Sequence, residues 1–383
     1  MSGKTYAYVG NWSTKGDGGI GIYEYDPSTG ETKYIKTVRE DIVAGLIIAD
    51  RKRGVIYSID ERSDNPDMPA KSGGGRVFSL RVDPETGYLE EVSRQSSFGS
   101  MPAYITDDGT GNGLLLCNHS GNAYITRIVK EESGRYSLES IFSDTTIVHY
   151  PINDDGGLGS PDDIYITPTE GEFYSCLHSV NLAPDGHSLV VCERNQDKVY
   201  LMHFDADSKK LILDGAVQFE RGKGIKDGHC PRYSAFHPTK PFVYINSEYL
   251  LWLTVMSYGA GLETVKILDV TPPSAGGRSL SQSDLTVSAD GRFLYTMYRG
   301  INMVCVYAID QETGIPEFVQ EIALSGKGPR GCKLSPDGRF LLVANLDSKD
   351  VTTLAVADDG TLTETAYMTF GQEHPGNVTF YEV

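Results

Sequence analysis

Two kinds of turn recur along this chain in a fixed relation to its apolar runs, and together they divide it into about seven similar units. The first is a Pro-Asp-Gly-like turn followed by an apolar stretch: Pro184-Asp185-Gly186, Ala289-Asp290-Gly291 and Pro336-Asp337-Gly338, with Pro238-Thr239-Lys240 as a looser copy. The second is Asp-x-x-Thr-Gly, at Asp26–Gly30, Asp83–Gly87 and Asp310–Gly314, with Asp205–Lys209 and Asp358–Leu362 as degenerate versions. The two turns bound short apolar runs that lack helical periodicity, which excludes a regular alternation of strand and helix.

In the unit that begins at Gly328, Cys332–Ser335 reads as a short strand and Pro336–Arg339 as a hairpin turn. Phe340–Ala344 is a buried apolar strand, Val351–Val356 a third strand and Leu362–Thr369 a fourth. Four short strands joined by tight turns in units of about 45 to 55 residues describe a propeller blade. The same reading starts units near Ala44, Met101, Cys176, Gly228, Ser281 and Gly328. Tyr6–Val38 supplies only three strands, and the C-terminal Gly376–Tyr381 supplies the missing inner one. That pairing closes the ring and leaves no open edge between the first and last blades. The expected fold is therefore all-β, a seven-bladed β-propeller of four-stranded antiparallel blades spanning 1–383 as a single domain. Two stretches exceed the blade pattern: Arg62–Gly75, rich in Gly, Pro and Asp, and Thr145–Tyr174, read as an insertion on the channel-mouth face.

The formal net charge of −18 argues against nucleic acid or an anionic membrane surface as a partner. The chain has no apolar run of transmembrane length, and its start, Met1–Thr5, enters a strand-like segment without a signal-type core. Six cysteines are scattered without a CxxC pair, which points to neither a metal site nor a disulfide framework and fits a reducing cytoplasm. Cys117 and Cys305 lie inside apolar runs and read as small buried hydrophobes.

In an up-and-down blade, the start of the first strand and the end of the second share one face, and the Pro-Asp-Gly turns lie on the other. The second-strand ends place Asn11, Glu61, Asn118 with His119, Glu193, Glu248, Tyr298 with Arg299, and Asn345 around one mouth of the central channel. The inner-strand starts add Pro102, His178, Pro231-Arg232, Asp284, Pro329-Arg330 and His374-Pro375. In an acidic protein, Arg232, Arg299 and Arg330 at one mouth create a local positive field suited to a carboxylate or phosphate. Each arginine has an alternative reading as the partner of a nearby carboxylate that holds loops together. His178 is suited to general acid/base work or to bonding a loop carbonyl. Glu248 ends an apolar strand, where desolvation raises a carboxyl pKa and a salt bridge to Arg232 lowers it. No phosphate-binding loop, dinucleotide fingerprint, G-x-S-x-G elbow or HExxH is present.

At these residues the chain resembles the lactonase seven-bladed propeller family, which includes propeller-type 6-phosphogluconolactonases and fungal 3-carboxy-cis,cis-muconate lactonizing enzymes. The matching segments are His178–Gly186, Cys230–Pro238, Asn246-Ser247-Glu248, Asp290–Tyr295 running into Arg299-Gly300, and Gly328-Pro329-Arg330 with Ala344–Ser348. The resemblance implies a cofactor-free and metal-free enzyme with its site at the channel mouth. His178, Arg232, Glu248 and Arg299 match the residues proposed as catalytic in the muconate enzyme. Arg330, Asn345, Asn11, His119 and Asp284 stand as substrate contacts. Tyr233 replaces a frequent His after Pro-Arg, Thr286 a common His, Leu346 a frequent Gln, and Glu193-Arg194-Asn195 the usual Asp-Leu-Gly. The expected activity is hydrolysis of an anionic sugar lactone such as 6-phosphogluconolactone, with His178 or Glu248 activating water. Muconate cycloisomerisation and a non-catalytic propeller that binds a small anion or a protein are the alternatives.

Overall fold

The Asp-x-x-Thr-Gly turns show how the sequence sets the local geometry. At Asp26, Asp83 and Asp310 the carboxylate accepts from the backbone N–H two residues on, and the main-chain carbonyl accepts from the glycine four residues on. Glycine is required twice over at Gly30, Gly87 and Gly314. Their φ values are 78°, 72° and 72°, and a Cβ there would strike the rings of Phe340, Tyr6 and Phe242 in the neighbouring blade. The turn that reverses one blade is thus also a packing surface for the next.

The computed structural model describes residues 4–13, 18–64, 67, 73–120, 124–168 and 173–383. Among the described residues, strands make seven four-stranded antiparallel sheets and one separate two-stranded hairpin. Blade 1 takes its inner strand, Pro375–Glu382, from the end of the chain; Thr5–Asn11, Ile20–Tyr25 and Thr32–Val38 follow outward. This is the closure expected from sequence. The inner strands of blades 2 to 7 are Ile47–Asp50, Pro102–Asp107, Leu177–Leu182, Pro231–Phe236, Ser281–Val287 and Pro329–Leu334. Each is followed outward by three strands in chain order.

Among the described residues, seven buried apolar clusters lie one between each pair of neighbouring blades. Between blades 5 and 6, for example, Tyr244, Leu253 and Val255 meet Leu285, Leu294, Tyr298 and Met303. The core is therefore a ring of interfaces, and the channel in its middle is left to polar side chains. Among the described residues no helix is long and apolar enough to cross a membrane.

The assignment of 145–174 as an insertion is corrected. Thr145–Pro151 and Asp163–Thr167 are the third and fourth strands of blade 3. The loop between them lies on the face opposite the mouth, where Gly156 O accepts from the Tyr57 and Ser79 hydroxyls and Asp155 O from Arg81. The inserted element is the hairpin Tyr124–Lys130 and Tyr136–Phe142. Its β-branched and aromatic composition is that of blade strands, so from sequence it passes as part of the blade and moves the surplus downstream. The Arg62–Gly75 segment joins the second and third strands of blade 2, on the mouth face; residues 65–66 and 68–72 of it lie outside the described residues.

Candidate active site

Two local devices aim side chains into the mouth. The first is a bulge near the start of the inner strand in five consecutive blades. The ladder skips a residue or two between Pro102 and Tyr104, Leu177 and Ser179, Pro231 and Ser234, Gln282 and Leu285, and Pro329 and Gly331. The skipped residues are Ala103, His178, Arg232 with Tyr233, Ser283 with Asp284, and Arg330. A bulged residue is released from the alternation of the strand and can be re-aimed: His178, Arg232 and Arg330 gather at the mouth, whereas Ser283 and Asp284 bond to the backbone of blade 7.

The second device sits one residue past the last ladder pair of each second strand. There the backbone N–H of Trp12, Glu61, His119, Arg194, Glu248 and Leu346 donates to His374, Val43, Met101, Cys176, Cys230 and Gly328, at 2.8–3.0 Å throughout. Arg299 holds the corresponding place in blade 6, one residue beyond the Gln282–Tyr298 pair next to the bulge, although there the ladder runs on and pairs it with Ser281. These seven positions form one ring.

Around Glu248 three guanidiniums converge. Arg194 Nε lies 2.5 Å from Oε2, Arg299 Nη2 lies 2.8 Å from Oε1, and Arg232 Nε lies 3.8 Å from Oε1. Burial pushes the Glu248 carboxyl up, but Arg232, Arg194 and Arg299 together outweigh it and hold the group down at about 2. Of the two sequence readings of Glu248, the salt bridge prevails. Arg232 is only 1% exposed; it donates to Ser283 O and lies over the Tyr233 ring at 4.2 Å.

His178 stands beside this cluster, edge-to-face with both His119 and Tyr233 at 5.1 Å between ring centroids. Burial, then Arg232, His119 and Arg194, hold its pKa well below the ordinary histidine value, so the ring is neutral near pH 7. His119 is likewise lowered, to about 3, by burial and then Arg194, and its Nε2 lies 3.2 Å from Cys176 Sγ. Burial pushes the Cys176 thiol up. Three polar nitrogens in this region are buried without a hydrogen-bond partner among the described residues: His178 Nδ1, Arg232 Nε and Arg299 Nε.

Arg330 stacks over Trp12 at 4.4 Å and reaches Glu61 Oε2 at 3.6 Å. Burial raises the Glu61 pKa against the opposing pull of Arg330. Among the described residues no group of three or more His, Cys, Asp or Glu is arranged to hold a metal ion.

The sequence profile described as lactonase, 7-bladed beta-propeller, matches residues 6–380. The chain belongs to this family. A curated relative named 6-phosphogluconolactonase, from Bacillus subtilis, is 25% identical over 353 residues, covering 89% of this chain and 88% of its own. Another of the same name, from Cronobacter sakazakii, is 27% identical over 304 residues, covering 78% and 79%. Among solved structures, the periplasmic gluconolactonase PpgL of Pseudomonas aeruginosa aligns with a TM-score of 0.80 at 22% identity, covering 98% of this chain and 99% of its own. That likeness carries the fold.

Within this lactonase fold the expected site residues separate into two groups. His178, Glu248, Arg232, Arg299 and His119 come together at the mouth, and Arg330, in the blade next to that of Arg299, pairs with Glu61. Asn345 and Asn11 do not join them. Asn345 is fully buried and donates to Asp350 Oδ1 at 2.7 Å and Thr352 Oγ1 at 2.8 Å; Asn11 donates to Gly18 O and accepts from His374 N. Both are last-pair residues of their strands, so alternation turns them into the blade, and Leu346 and Trp12 take the ring positions. Asp284 is a bulged residue whose carboxylate accepts from Cys332 N at 3.0 Å and Leu285 N at 2.8 Å, tying blade 6 to blade 7.

Arg194 was missed. It is visible from sequence only as part of the departure Glu193-Arg194-Asn195. Glu193, its neighbour, is the last-pair residue and turns inward to accept from Cys176 N and Gln196 N, which leaves Arg194 facing the mouth.

Proposed function

We propose that this protein is a cofactor-independent lactonase that hydrolyses a sugar lactone bearing an anionic group. The observation that carries the reading is the placing of neutral His178 beside three guanidiniums, those of Arg194, Arg232 and Arg299, that share the single carboxylate of Glu248. Neutral His178 takes a proton from water, and the hydroxide formed attacks the lactone carbonyl carbon. The carbonyl oxygen becomes an oxyanion held by Arg232 and Arg299, donors fixed in advance in a site shielded from bulk water. The tetrahedral adduct then expels the ring oxygen, which takes the proton back from His178, and an open-chain hydroxy acid leaves. Glu248 holds the arginines in register and does not act as the base, because three cations suppress its basicity. Binding of an anion would screen Arg232 and Arg194 and so raise the basicity of His178 when substrate is present.

The names of the curated relatives support this class of substrate. No feature of the site favours the cycloisomerase or the non-catalytic alternative. Six free and buried cysteines support a reducing cytoplasmic setting.

The test is turnover of freshly prepared 6-phosphogluconolactone, corrected for spontaneous hydrolysis. Replacement His178→Ala should lower kcat by about 10²- to 10⁴-fold. In the parent enzyme kcat/KM should stay level as pH falls through 6.5, the ordinary histidine value, and decline only at more acid pH. Unchanged turnover in the alanine variant, or an acid limb at 6.5 or above, overturns the role of His178.

A further inference from the structure

We propose that Arg194 is the positioning residue that sets the charge of the accepted substrate, by holding Glu248 so that the mouth keeps a surplus of two positive charges, suited to a doubly charged phosphate group. The inference rests on the lactonase reading only for the identity of the substrate; the charge pattern stands on geometry.

Three guanidiniums contact one carboxylate, and Glu248 can neutralise only one of them. The other titratable groups facing the cluster do not make up the difference. His119 and His178 are neutral, and Cys176 stays a thiol. Asp284 accepts from backbone amides of blades 6 and 7 and burial raises its pKa toward the uncharged form, and Glu61 is engaged with Arg330. Neither the Nε of Arg299 nor that of Arg232, which stands 3.8 Å from Glu248 Oε1 and so beyond hydrogen-bond reach, makes a hydrogen bond among the described residues, as expected of donors meant for an anion.

Arg194 is built for a fixed place. Its Nη2 donates to the Tyr249 hydroxyl at 2.7 Å while its Nε holds Glu248 Oε2 at 2.5 Å. The preceding Glu193 anchors the turn through two backbone amides. With Arg194 in place, Oε2 is occupied, so Glu248 engages Arg299 through Oε1 alone. Without Arg194 the carboxylate is free to swing both oxygens onto Arg299 and Arg232, which removes the very donors an anion would use. One positive charge then remains where there were two, and a singly charged or neutral ligand is handled nearly as well as a dianion.

The experiment compares the parent enzyme with Arg194→Leu, Arg194→Lys and Tyr249→Phe. Turnover is measured on 6-phosphogluconolactone and on gluconolactone, and calorimetric affinity on the products 6-phosphogluconate and gluconate. In Arg194→Leu the preference for the phosphorylated member of each pair should fall by tenfold or more, through KM rather than kcat. Tyr249→Phe should do the same more weakly, and Arg194→Lys should restore part of the preference. A loss that is equal for both members of each pair marks a merely structural residue and overturns the proposal. If the parent turns over neither lactone, the lactonase reading falls, and the affinities alone decide: a preference for 6-phosphogluconate that shrinks in Arg194→Leu upholds the proposal. An unmoved preference, or no binding of either anion by the parent, overturns it.

Discussion

Glu61 and Glu248 occupy equivalent ring positions in blades 2 and 5, each one residue past a last ladder pair, and both side chains are less than a tenth exposed. Their chemistry differs in sign. Glu248 has three guanidiniums around it and is held down at about 2, whereas Glu61 has a single arginine at 3.6 Å and is raised by burial. The same backbone position therefore yields a permanently ionised anchor in one blade and a carboxyl inclined to keep its proton in the other. The number and closeness of cations, rather than burial, decide which.

The comparison breaks most visibly at Glu248. Replacement by Gln leaves one buried and two partly buried cations without their counter-charge, so chemical denaturation should show a loss of about 3 kcal/mol, the low end of the range for one-sided removal of a buried ion pair. A loss below about 1 kcal/mol would mean that the arginines do not depend on this carboxylate.

Of similar size is the pH dependence of stability. Glu248 titrates lower in the folded chain than its ordinary value of 4.5, so its contribution is complete above about pH 4.5 and is lost as pH falls from there toward about 2. That loss is on the order of 3 kcal/mol. Glu61 is shifted the other way, so what it contributes is present below its ordinary pKa and lost as pH rises through its folded value. Unfolding measured from pH 2.5 to 6 should thus have a shallower acid limb in Glu248→Gln than in the parent, and a steeper one in Glu61→Gln. Identical limbs in the two variants would erase the contrast.

The smallest effect is expected from Glu61→Gln at neutral pH, within about 1 kcal/mol, because a neutral isostere removes the desolvation cost of the charge together with its one weak attraction. A loss matching that of Glu248→Gln would show that Arg330 and Trp12 bind Glu61 more firmly than their distances imply.

The turn chemistry made the fold legible: Asp and Gly at fixed offsets imposed the blade period, and the period located the mouth and the closure through 375–382. The ring of side chains at the mouth was legible to within one residue. Strand alternation decides between Asn345 and Leu346, between Asn11 and Trp12, and between Glu193 and Arg194, and a reading that ends each strand one residue early selects the inward member. His178, Arg232 and Arg330 were found because an inner-strand start is a large enough target. Their aim into the channel depends on bulges, whose sequence signature here is only a preceding Pro or Leu. The hairpin at 124–142 escaped for the opposite reason: two regular strands look alike inside and outside a blade.

Because the innermost strand of blade 1 is Pro375–Glu382, the ring is closed by a strand that follows all six other blades in the chain. During synthesis, Thr5–Asn11 waits with its inner edge unpaired while six other blades are completed. Blades 4 to 6, which carry Arg194, Arg232, Glu248 and Arg299, can form before that. The circumference that sets the distance from Arg330 in blade 7 to Glu61 in blade 2 is fixed only when Pro375–Glu382 docks. A nascent chain stalled short of residue 375 would hold nearly every residue of the site and lack the perimeter that spaces them.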